Sequence, residues 1–118
     1  MTTKTMILLL AVFFPAAFAD VSGVWNVEAS AGGNTITPVC TFKQKGSSVA
    51  GACRYDNSSS ELNGEVRGNE IMWKYDMVYD GDPISLTYYG KIESTGQIKG
   101  TVQVAPVGLQ GEFSAKKQ

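Results

Sequence analysis

Two groups of residues in this chain have chemistry to offer. One is a pair of cysteines, Cys40 and Cys53. The other is a set of bulky side chains, Trp73, Tyr75, Tyr88, Phe42 and Leu86. The aromatics carry stacking faces and phenolic hydroxyls, which suit a site that holds a small apolar or aromatic molecule by burial. The cysteines lack C-x-x-C spacing, so a structural disulfide is expected rather than a redox-active pair. The chain contains 0 His, which removes the commonest general base and the commonest metal ligand. Ser58-Ser59-Ser60 has no recognisable base beside it, and no carboxylate pair is placed in a cleft. Asp76, Asp80 and Asp82 gather at one hairpin, but Asp-Gly is first a turn signal, and a hard cation needs more oxygens than these supply. No enzymatic activity, cofactor or metal is therefore expected.

The charge balance narrows the partners. With 10 Lys+Arg against 11 Asp+Glu the net charge is -1, and there is no basic stripe to neutralise phosphates, so nucleic acid is not expected. A chain of 118 residues suggests one domain. Residues 1–19 look like a processing signal. Lys4 is the basic flank, residues 6–14 form a short apolar run, and Ala17-Phe18-Ala19 is an A-x-A cleavage site. The run is short for a bilayer span. Cleavage would leave residues 20–118 as the mature domain, secreted or periplasmic, with no stable membrane anchor. That compartment favours a Cys40–Cys53 bond.

The positioning elements are strands. In residues 68–77 strict alternation puts Ile71, Trp73, Tyr75 and Met77 on one face and Met72, Lys74 and Asp76 on the other. The same reading gives strands near residues 22–29, 35–43, 49–55, 61–67, 84–92, 97–104 and 109–115. Pro38 demands an edge, a bulge or a bend in the second. Residues 56–60 read as a polar loop, in which Asn57-Ser58-Ser59 is formally a glycosylation sequon. No segment of the mature chain has helical periodicity. Eight strands with short connections imply an all-β, eight-stranded antiparallel up-and-down barrel.

A repeat supports the barrel. An apolar residue, any residue, Gly, any residue, then an apolar residue recurs around Gly51, Gly64, Gly90, Gly100 and Gly111. Each glycine falls on the apolar face. Inward glycines let strands coil sharply and leave room for large neighbours. Two-residue turns at Gly46-Ser47, Gly68-Asn69 and Asp80-Gly81 fix the registers. Cys40 then faces Cys53 in a non-hydrogen-bonded pair, Gly64 faces Trp73, Trp73 faces Tyr88, and Tyr75 faces Leu86. Ser94-Thr95-Gly96 reads as a three-residue loop with Gly in the left-handed position, leaving Ile92 opposite Ile98. On the outer face Met72, Tyr89 and Thr101 fall side by side.

Gly23-Val24-Trp25 opens the first strand, and it resembles the G-x-W signature of calycin barrels, the lipocalin and avidin kin. The resemblance implies that a basic residue near the last strand, Lys116 or Lys117, packs against Trp25. Gly23-Val24-Trp25-Asn26 and Val49-Ala50-Gly51 also look like the first two strand motifs of avidin. The tyrosine that avidin places two residues after that glycine is Cys53 here, and the later tryptophans of its biotin site have no counterparts, so biotin binding is not carried over.

Two functions fit. One is a secreted, non-enzymatic barrel that binds a small apolar or aromatic ligand through Trp73, Tyr75, Tyr88, Phe42 and Leu86. The other is a protein-interaction module, an inhibitor or an accessory or assembly subunit, with a solid core and a binding face on its surface.

Overall fold

The structure is a computed structural model and describes residues 19–118. Apart from Ala19, the processing signal expected over residues 1–19 lies outside the described residues. The strands are β1 Gly23–Ala31, β2 Asn34–Ile36, β3 Val39–Lys45, β4 Ser48–Tyr55, β5 Ser58–Arg67, β6 Glu70–Tyr79, β7 Asp82–Ser94, β8 Gln97–Ala105 and β9 Leu109–Lys117. Every pairing among them is antiparallel, and β1 also pairs with β9, so the sheet closes on itself.

β2 and β3 are two halves of one stave. Ala29 faces Ile36 on one side of Pro38 and Trp25 faces Cys40 on the other, in a single unbroken register. The Val27 amide still donates to the Pro38 carbonyl at 2.9 Å. Proline therefore removes one ladder donor without creating an edge or a slipped register. The chain is a closed, eight-staved, up-and-down antiparallel barrel.

Most of the expected turns hold. Lys45 faces Ser48, Arg67 faces Glu70 and Tyr79 faces Asp82, as two-residue connections require. Two expectations are corrected. Residues 58–60 are not loop but the start of β5, with Tyr55 facing Ser58 and Cys53 facing Ser60. Pairing with β4 there overrides the poor strand propensity of serine. The last β7–β8 connection is a two-residue turn at Thr95-Gly96 closing Ser94 onto Gln97, with a bulge between Ile92 and Ser94. The bulge absorbs the extra residue, so Ile92 still faces Ile98.

Cys40 and Cys53 are directly opposed and bonded, with Cα atoms 4.0 Å apart. That separation belongs to the closer of the two antiparallel pair types.

The inward glycines make room for aromatic rings. Phe42 lies between Gly23 on β1 and Gly51 on β4, Trp73 lies beside Gly64, and Phe113 beside Gly100. At Gly64 an added Cβ would run into the Met72 carbonyl and stand 2.8 Å from the Trp73 Cβ. At Gly51, φ is +152°, and an added Cβ would collide with the Thr41 carbonyl. These strands coil closely enough that only hydrogen fits on the inner face.

Candidate functional site

The two ends of the barrel differ. At the end bearing turns 46–47, 68–69 and 95–96, the segment before β1 folds inward and Val21 is buried. The indole N–H of Trp25 donates to the Val21 carbonyl at 2.8 Å. The Val21 amide donates to the Gln44 side-chain oxygen at 2.8 Å, and the Gln44 amide to the Ser22 hydroxyl at 3.0 Å. Lys117 lies opposite Trp25, and its stem covers Gly23, where an added Cβ would stand 2.6 Å from the Lys117 Cε. This end is plugged.

The middle of the barrel is filled. Trp73 stacks on Tyr88 with ring centroids 4.5 Å apart and planes 5° from parallel. Phe42 and Phe113 meet Trp73 edge-on at 5.0 and 5.2 Å. Tyr75 continues the stack against Tyr88 at 5.8 Å. Such offset and edge-to-face contacts suit the ring quadrupoles. The hydroxyls of Tyr75 and Tyr88 share a buried hydrogen bond of 2.8 Å. Burial pushes the Tyr75 phenol up to about 12, partly offset by that bond, and burial pushes Tyr88 up further. Both phenols are therefore neutral over the whole physiological range. The Trp73 indole N–H is buried without an acceptor. Stacking on Tyr88 and two edge contacts set the ring, and no acceptor stands opposite the nitrogen.

The other end, with turns 32–33, 56–57, 80–81 and 106–108, opens into a cleft of about 70 Å³. Ile36, Tyr79, Ile84, Leu86, Val102, Val104 and Leu109 supply its apolar walls, and Ser30 and Asn34 a small polar margin. Its deepest layer is Leu86 and Val102, whose strand partners are Tyr75 and Tyr88. Of the five residues singled out in the sequence, all are buried inside one barrel, and Leu86 alone reaches this cleft. Trp73, Tyr75, Tyr88 and Phe42 pack on one another and form the floor beneath it.

Sequence reasoning missed the mouth. Ile36 and Ile84 were legible as inward residues but not as lining. Tyr79 and Val104 stand at strand ends, where alternation gives the face but not the depth. Leu109, which the repeat around Gly111 puts on the apolar face, is 39% exposed at the rim, because the start of β9 runs past the end of β1 and lies over Gly32. Val21, the plug, precedes the first strand; it shares the parity of Trp25 and Val27, but parity does not show that the chain folds inward there.

The outer wall matches expectation. Met72, Tyr89 and Thr101 stand in one cross-strand row, in a shallow groove on the outside of β6, β7 and β8. Asp76 accepts a hydrogen bond of 2.6 Å from the Ser85 hydroxyl. Among the described residues no group of three or more His, Cys, Asp or Glu side chains is arranged to hold a metal ion.

Fold and site together define a small, closed, antiparallel barrel with a plugged end and an apolar mouth. No protein-family model matches the chain, and no curated protein matches it. Two solved structures are similar in fold. One is a redesigned beta barrel, at 14% identity and TM-score 0.63, over 83% of this chain and 91% of that one. The other is a redesigned beta barrel, mFAP1, bound to DFHBI, at 11% identity and TM-score 0.61, over 83% of this chain and 94% of that one.

Proposed function

We propose that this protein is an extracytoplasmic, calycin-like binding barrel that takes a small apolar or aromatic group at its mouth and catalyses nothing. The apolar cleft over an otherwise filled interior carries this reading. Enclosed sites for drug-sized ligands run to roughly 300–1,000 Å³. A cleft of about 70 Å³ accepts one ring or the end of an alkyl chain, so the rest of the ligand stays at the rim. Trp73, Tyr75, Tyr88 and Phe42 then act as a rigid floor that keeps the cleft open without adjustment on binding. The barrel that binds DFHBI supports the reading by its fold. The Cys40–Cys53 bond is compatible with an oxidising compartment.

The test is an NMR titration of the mature protein with indole, a neutral aromatic probe. Amide shifts at Ile36, Ile84, Leu86 and Val104, abolished by Leu86→Trp, are the expected result. No shift at millimolar indole would overturn the proposal.

A second reading, a protein-interaction module, rests on the outer wall. Tyr89 is 47% exposed beside Met72. Indole shifts confined to Met72, Tyr89 and Thr101 would favour it.

A further inference from the structure

The turns at the mouth of the barrel carry charge of one sign. Among the described residues, the four turns that ring the mouth carry Asp56 and Asp80, with Asp82 adjoining, and no Lys or Arg. The plugged end is mixed, with Lys45, Arg67 and Lys117 at or beside its turns together with Asp20, Glu70 and Glu93. The near-neutral total therefore conceals an acidic mouth.

The carboxylates stand where a ligand in the cleft would emerge. Asp82 occupies the inward register of β7, two residues before the lining residue Ile84, and faces the lining residue Tyr79 across the hairpin. Asp56 and Asp80 are close enough to Tyr55, together with Tyr79, to act on its phenol. Partial desolvation first, then Asp56, Tyr79 and Asp80, hold that phenol above its usual value. Tyr55 and Tyr79 both pack against the core cluster. Tyr79 thus lines the cleft with Asp82 opposite it and Asp80 in the adjoining turn, while Tyr55 and Asp56 stand at the same end of the barrel.

We infer that the mouth selects an organic cation, an aryl or alkyl ammonium. Its apolar end seats against Ile84, Leu86 and Val104, and its charged head lies at Tyr79, Asp80 and Asp82. The inference rests on the binding reading above and names its ligand class. Aromatic faces attract cations through the ring quadrupole, and carboxylates add a screened attraction. An anion of the same shape meets repulsion from the same groups, and among the described residues the rim turns hold no Lys or Arg to offset it.

The experiment compares three probes that share one apolar body, 3-phenylpropyltrimethylammonium, 3-phenylpropanol and 3-phenylpropionate, by NMR titration at low ionic strength. The cation is expected to bind about tenfold tighter than the alcohol, and the carboxylate more weakly than either. Asp80→Asn/Asp82→Asn should bring the cation to within about twofold of the alcohol while leaving the alcohol unchanged. Asparagine tolerates the left-handed backbone at position 80, where φ is +53°. Leu86→Trp should abolish binding of all three. Alcohol binding as tight as the cation, or a preference that survives the double substitution, would overturn the cation assignment and leave the binding reading intact. If no probe binds, both fall.

Discussion

At the scale of single residues, the Tyr75–Tyr88 pair decides how the core responds to substitution and to pH. Each hydroxyl has the other as its hydrogen-bond partner in a buried site. Tyr75→Phe or Tyr88→Phe leaves one hydroxyl without a partner, at a cost of about 1–3 kcal/mol. Replacing both removes the stranded group, so the double variant should lose less than the sum of the singles, as read by urea denaturation. The pH dependence follows from the same burial. A phenol whose folded pKa is raised stabilises the fold fully below its unfolded value of about 10, and that contribution is lost as pH rises through the folded value. For Tyr75 the folded value is about 12, and Tyr88 shifts in the same direction. Stability should therefore decline from about pH 10 upward. In the double Phe variant the decline should be shallower, and an unchanged slope would count against these two phenols as its source.

At the scale of strands, the glycines test whether curvature or sequence chance placed them. Gly64→Ala drives a methyl group into the Met72 carbonyl and the root of Trp73, and should cost about 1–3 kcal/mol. Gly96→Ala is the control. Its Cβ meets only the Lys117 Cβ at 3.9 Å, and its φ is not in the left-handed region. That change should be neutral or stabilise by about 0.4–1 kcal/mol through the unfolded chain. Urea midpoints of the two variants make the comparison. The pair also shows what the sequence could reveal. Gly64 was legible because period-two alternation and the Gly68-Asn69 turn place it opposite Trp73. Gly96 was misread because local turn chemistry was taken to set the loop length, whereas the bulge before Ser94 sets it. Pro38 was legible as an interruption, and the strand does break there into β2 and β3; what alternation did not show is that pairing of both halves with β1 keeps one register through it. The mouth was least legible. Which end of a barrel opens depends on how far strand ends project and on a plug, Val21, that lies before the first strand.

At the scale of the whole molecule, the barrel exists only when β9 pairs with β1, and that contact joins the two ends of the described chain. Aromatic contact then links its levels. Trp25 at the plugged end meets Phe42 at 6.1 Å, and Phe42 meets Trp73 in the middle at 5.0 Å. Neither half of this chain of rings is buried until closure is complete, so unfolding should be a single transition. The chain has 2 Trp, one in each region, and this makes the point measurable. Trp73→Phe leaves Trp25 as the reporter of the plug, and Trp25→Phe leaves Trp73 as the reporter of the floor. In each variant, tryptophan fluorescence should follow the same urea curve as the far-ultraviolet circular dichroism of that variant. Refolding should take milliseconds to seconds, because every productive core contact waits on distant strands. A Trp25 signal lost before the sheet would mean that the plug opens on its own. The barrel would then have a second entrance, at its plugged end, and the acidic mouth would no longer decide alone which ligands reach the interior.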